Sequence, residues 1–237
     1  MKPFHPEYVL EVLPKLLPFV SVTLIILFLS TLFGTINGVL LTRGMMAKNK
    51  VINSISHSII FSLRCTPPIV MIFIIYYGVP KLLDLTVGID INTWNKAVFL
   101  VIALMLIFSA NAAEVFRAAY EAVPVGQKEA AVSSGLTDFQ AFRRIILPQA
   151  AVIALPNYIN TILILLKDGS LGYTIGIVDI LGSGQTIISR NFGNYTLEIY
   201  LAAAIIYWCI AFLLESLSGF IERILSKGRK RFGKELA

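Results

Sequence analysis

Uncharged apolar runs recur along this chain at lengths that match a bilayer, and short polar intervals separate them. Leu16 to Thr42 carries no charge, and Cys65 to Pro80 is apolar behind Arg64, continuing a stretch that opens at Val51. Trp94 to Ala113 holds only Lys96, near its start. Ile145 to Leu166 is uncharged and runs on past Lys167 and Asp168, and Ile199 to Leu214 is uncharged too. Crossing ~30 Å of hydrocarbon takes about 20 helical residues. A helix is the simplest segment that satisfies its own backbone N–H and C=O groups without water. The pattern therefore predicts an all-α integral membrane protein with about five transmembrane helices. Ahead of the first run, Tyr8 to Lys15 reads as a short amphipathic helix at the interface. It is not a cleaved signal, because Glu7 and Glu11 stand where a basic region belongs and no Ala-x-Ala site follows.

Composition agrees: of 237 residues, 57% are hydrophobic and 14% charged, outside ordinary soluble usage. The net charge of +6 needs a partner or a topological reason. Lys and Arg concentrate in three places: Arg43, Lys48 and Lys50; Lys128, Arg143 and Arg144; and the tail from Arg223 to Lys234. Cytoplasmic loops hold such an excess. Five spans with the tail inside put the N-terminus outside. The surplus is then explained by topology and anionic lipid, and nucleic acid is not implied. The division that follows is an outer amphipathic N-terminus over 1–16, one transmembrane domain over 17–223 and a basic cytoplasmic tail over 224–237.

One polar interval, 114–150, is built for more than connection. Pro124 suits the first position of a helix, where its missing N–H costs nothing. Good helix formers run from Val125 to Ser134, and Gly135 supplies a left-handed stop. Thr137 reads as a fresh N-cap, with Gln140 completing a capping box. Phe139, Phe142, Ile145 and Ile146 fall at helical spacing, and Pro148 is expected to end that second helix. Two short helices at a glycine hinge make either a knob for a partner's groove or a structured cover over helix ends. The residues alone leave both readings open.

Chemistry is sparse. Cys65 and Cys209 lie within expected spans with no metal-ligand neighbours, His5 and His57 are isolated, and no phosphate-binding glycine loop is present. No catalytic or metal set can be assembled, so an enzyme is not expected. The ionisable residues nearest the apolar runs, Arg64, Lys167 and Asp168, are expensive in lipid, at least ~2.5–3.5 kcal/mol each unless paired or wet. They could pair across helices and hold the bundle, or line a path with Thr66, Asn160 and Ser170. Gly34 and Gly38 form a Gly-x-x-x-Gly suited to close helix approach.

Several blocks together resemble the permease subunits of polar amino-acid ABC importers. These are Glu114-x-x-Arg117, Gly126-Gln127-x-Glu129-Ala130-Ala131, Gly135-Leu136 and Ile146-Leu147-Pro148-Gln149-Ala150. Arg64-Cys65-Thr66-Pro67-Pro68 and Lys167-Asp168-Gly169-Ser170-Leu171 add to the match, which covers roughly Val51 to Ile210. The sequence departs from the family pattern at Cys65, Asn111 and Gly169, all near the path, which puts substrate identity in question. The resemblance implies a cytoplasmic coupling loop whose Gln127, Glu129, Ala130, Ala131, Gly135 and Leu136 meet an ATPase. It implies a substrate path along Arg64, Thr66, Asn160, Lys167, Asp168 and Ser170. It also implies a second permease subunit, identical or homologous, two ATPase subunits that use the ATP, an extracellular solute-binding protein, and no cofactor on this chain. A bacterial cytoplasmic membrane is the implied location. Ala118-Ala119 and the Ile175–Gly182 stretch lean toward the cystine-importing branch. The rival reading, a secondary transporter or channel, should show internal repeats or paired broken helices; no block recurs.

Overall fold

A computed structural model describes the backbone of residues 4–234 and the side chains of 4–223. Lys2 and the basic side chains beyond Arg223, on which part of the expected orientation rests, lie outside the described residues. Helices account for the fold: α1 (Pro6–Leu16), α2 (Val20–Met45), α3 (Lys50–Cys65), α4 (Pro68–Phe73), α5 (Val79–Val87), α6 (Lys96–Glu121), α7 (Val125–Ser133), α8 (Asp138–Ala141), α9 (Leu147–Gly169), α10 (Ile180–Arg190) and α11 (Thr196–Lys234). Among the described residues, five stretches are long and apolar enough to span a bilayer: Pro6–Met45, Pro68–Val87, Lys96–Glu121, Asp138–Ile175 and Thr196–Arg223.

The centre is α6. It packs along α2 and α9, and its Leu100, Ala103, Leu104, Phe108 and Ala112 are buried. Small residues let it approach so closely, as the Gly-x-x-x-Gly predicts. A β-carbon at Gly34 would sit 2.7 Å from a ring atom of Phe108 and 3.1 Å from the Met105 carbonyl oxygen. One at Gly38 would sit 3.1 Å from the Ser109 carbonyl oxygen. Lipid tails are as apolar as leucine, so such close van der Waals packing does in the membrane much of what water expulsion does elsewhere.

Three local features differ from the sequence expectation or refine it. The amphipathic pattern over Tyr8–Lys15 is real, but α1 turns Val9, Val12 and Leu16 inward and packs on α11. It runs into α2 through a 3₁₀ turn at Leu17–Phe19. The second span is interrupted, because Thr66 is extended (φ −85°, ψ 123°) before Pro67. A residue before proline is pushed out of helical geometry, so α3 is a separate amphipathic helix outside the spans. The third is a correction: Pro148 does not end a helix. It falls directly after a π-turn, at the start of α9, and the helix runs on past it. A π-turn over Phe142–Ile146 carries α8 into α9 without a break.

Candidate functional site

The loop between α6 and α9 is a rigid, twice-bent knob. Helix α7 ends in a Schellman motif. The Leu136 amide donates to the Ala131 carbonyl at 3.1 Å and the Gly135 amide to the Val132 carbonyl at 2.9 Å. That closure requires a left-handed residue, and Gly135 has φ +88°. Thr137 then restarts the chain. Its hydroxyl accepts from the Gln140 amide at 3.2 Å while the Gln140 side chain accepts from the Thr137 amide at 3.0 Å. Across the hinge, Lys128 Nζ pairs with Asp138 Oδ1 at 2.9 Å. The Asp138 carboxylate, by hydrogen bond and charge, holds the Lys128 ammonium above its usual pKa.

The knob cannot swing freely on its roots. Ala119 and Val123 at the end of α6 bury against Ile146, Ala150 and Ala154 of the α9 side. Only three residues separate α6 from α7, and the π-turn makes α8 a continuation of α9. Of the six expected contact residues, Gln127, Glu129, Ala130 and Gly135 are exposed, Leu136 is half-buried, and Ala131 is buried within the loop. Ala131 therefore packs the knob rather than presenting a surface. Sequence reasoning did not nominate Val125, Val132 and Phe139 as contacts. They are 72%, 45% and 67% exposed, so the loop presents apolar side chains on its surface. The available signal was apolar residues on a segment too short to bury them.

The expected path residues fall into two groups at different depths. Arg64 lies in the last turn of α3, and its guanidinium is 3.5 Å from Glu114 of α6. Glu114 is also held by Arg117 at 2.8 Å, and Arg117 reaches Glu121 at 2.7 Å. Thr66 closes α3 by donating its hydroxyl to the Ser62 carbonyl at 2.8 Å. This network stands beside the loop's root.

The other group stands deeper. Gly169 lies against Leu104 of α6, ten residues from Glu114, which is ~15 Å along a helix axis. Lys167 and Ser170 line a groove of about 420 Å³ between α9 and α11, with Tyr207, Trp208, Ala204 and Leu163. Among the described residues, neither Lys167 nor Asp168 forms an ion pair with a neighbouring helix. Asn160 is exposed on α9. Tyr207 and Trp208 were read from sequence only as part of an uncharged span. Two adjacent aromatics with polar tips were their signal. Tyr207 also donates its hydroxyl to Asp179 Oδ2 at 3.2 Å, while Asp179 caps α10 through the Gly182 amide at 2.8 Å.

The chain matches known proteins over nearly its whole length. The family model described as "Binding-protein-dependent transport system inner membrane component" matches residues 34–227. The L-cystine transport system permease protein TcyL of Bacillus subtilis (strain 168) is 39% identical over 97% of this chain and 95% of its own length. The nopaline transport system permease protein NocM of Agrobacterium fabrum (strain C58 / ATCC 33970) is 32% identical over 89% of this chain and 88% of its own length. A solved structure, the crystal structure of an amino acid ABC transporter with histidines, superposes with a TM-score of 0.81 at 29% identity, covering 94% of this chain and 99% of that one. This chain therefore belongs to the binding-protein-dependent transport system inner membrane component family, as a permease subunit of an amino-acid ABC importer and not an enzyme.

Proposed function

We propose that this chain forms one wall of an importer for a polar amino acid, with L-cystine the leading substrate and glutamine, arginine, histidine and glutamate the alternatives. The working unit is two permease subunits, identical or homologous, with two ATPase subunits below and a solute-binding protein above, in a bacterial cytoplasmic membrane. The N-terminus lies outside and the C-terminus inside. ATP is used by the ATPase, and this chain carries no cofactor.

The knob carries this reading. A loop that merely covered helix ends would bury its apolar side chains, whereas Val125, Val132 and Phe139 point out from a braced hinge. The contact set is Gln127, Glu129, Ala130, Gly135 and Leu136, packed on Ala131, with those three apolar residues added. When the ATPases close on ATP, each pulls a knob, and α6 and α9 move with it because both are fastened to its root. The permeases then turn from inward-open to outward-open, and hydrolysis resets them.

The path runs along the α9–α11 groove. There the Lys167 ammonium meets a substrate carboxylate, with Ser170 beside it, while Asp168 and Asn160 stand on α9 outside the groove's lining and meet the substrate's ammonium and polar groups as it passes. Leaving one such charge unmet in the groove costs ~1–3 kcal/mol or more. Arg64 and Thr66 serve the inner mouth, where Arg64 is tied to Glu114. Cystine is favoured by the 39% identity to a cystine permease and by the Ala118-Ala119 and Ile175–Gly182 stretches.

Uptake by the reconstituted importer, competed by each of the five amino acids, tests the reading. Cystine is expected to compete best. Lys167→Met is expected to reorder the competitors, while Arg64→Gln lowers the rate for all of them alike. Unchanged ranking in Lys167→Met and Asp168→Asn would move selection out of the groove and onto the binding protein. Equal competition by unrelated solutes would remove the amino-acid assignment.

A further inference from the structure

At the end of the bundle opposite the knob, residues 191–195 turn the chain from α10 into α11. This turn is unusual in two respects at once. Phe192 and Tyr195 both have left-handed backbones, at φ 52° and 59°, with Gly193 between them at 78°. Aromatic side chains rarely adopt that region, because the β-carbon crowds the backbone. Phe192 is also 95% exposed, the most exposed large apolar residue among those described.

The turn is nonetheless held fast. The Tyr195 ring stacks on Tyr8 of α1 at 4.2 Å, and Asn191 donates to the Tyr8 hydroxyl at 3.1 Å. The Phe192 and Gly193 amides donate back to Ser189 and Ile188 carbonyls at 3.2 and 3.0 Å. Below it, the His5 amide donates to the buried Glu198 carboxylate at 2.9 Å.

We propose that Phe192 is an anchor by which this permease receives its extracellular solute-binding protein. A strained backbone kept in place by tight bracing, with an unsupported ring at its apex, is a preorganised contact. The fluid headgroup layer accepts an aromatic from any loop and gives no reason to fix the ring's direction. A folded partner does. Aromatic anchors are where such interfaces concentrate their affinity, and the exposed Arg190 lies two residues away in sequence. The knob leaves this end as the one open to a water-borne partner, and the family takes its name from dependence on a binding protein. The inference rests on the importer reading and on the outside placement of this end.

The test is the affinity of the substrate-loaded binding protein for the full importer in lipid nanodiscs, alongside melting temperature. Three forms are compared: wild type, Phe192→Leu and Phe192→Asn. Asparagine tolerates the left-handed region better than phenylalanine, so Phe192→Asn should melt at or above the wild-type temperature. It should bind at least tenfold more weakly, while Phe192→Leu binds within a few-fold of wild type. Binding by Phe192→Asn within twofold of wild type overturns the proposal and leaves the ring to the lipid. A weaker affinity accompanied by a lower melting temperature also overturns it, because Phe192 would then serve the fold. No binding by wild type itself is a failure of the importer reading instead.

Discussion

The knob and the outer turn solve the same backbone problem with opposite residues. Each must reverse the chain through a left-handed position on an exposed surface. The knob uses Gly135 at φ +88°, with open space where a β-carbon would be, and closes the turn with two amides and a capping box. The outer turn puts Phe192 and Tyr195 in that region and is braced by α1 instead. Local sequence therefore specifies the first, and only the fold can hold the second. The lesson is that a low-strain hinge suits a lever that transmits force through its roots. A strained turn survives where the direction of one side chain matters.

Breaking the hinge should have the largest effect. Gly135→Val places a β-branched residue at φ +88°, a strain of about 1–3 kcal/mol. The knob should reorient, and coupled uptake should fall more than tenfold while the protein still inserts and folds. Radiolabelled uptake and co-purification of the ATPase on one membrane preparation would check this. Retained coupling would show that the hinge conformation is not needed.

The outer turn should respond less, and through stability. Tyr8→Ala removes a stack worth about 0.5–1.5 kcal/mol beyond its packing and a hydrogen-bond partner of Asn191. A drop of a few degrees in melting temperature is expected, at ~2–4 °C per kcal/mol for a chain of this size. The same measurement on Gly135→Val should move less than its uptake does.

The smallest effect belongs to Lys128→Met. The ion pair with Asp138 spans the hinge, yet both side chains are exposed at 46% and 80%. Exposed pairs contribute little and are screened by salt. Asp138 raises the Lys128 pKa. The pair's contribution is therefore fully present below the ordinary lysine range and is lost as pH rises through the elevated folded value. Melting curves of the wild type and Lys128→Met should coincide at high salt and differ slightly at low salt and neutral pH.

What could be read from the sequence followed from how local its cause is. The five spans are a matter of length and charge, and Gly135, Thr137 and Gln140 announce their geometry within six residues. Pro148 misled because a proline marks either a helix end or its first turn, and the choice depends on the π-turn before it. The inward packing of α1 was hidden because an amphipathic face does not say whether lipid or α11 covers it. The groove needed Lys167 and Trp208, forty-one residues apart, to be brought together. Arg64 was read with Lys167 from its charge alone, whereas the fold gives it to Glu114. Nothing near Phe192 marks a left-handed residue except Gly193.

The two ends of this bundle are proposed to serve two different partners, the ATPase at the knob and the binding protein at the outer turn. A photo-reactive phenylalanine analogue placed at Phe139 in one preparation and at Phe192 in another tests it within the assembled importer. Position 139 is expected to capture the ATPase subunit and position 192 the substrate-loaded binding protein, with no exchange between them. Capture of the ATPase from position 192, or of no ATPase from position 139, would contradict it.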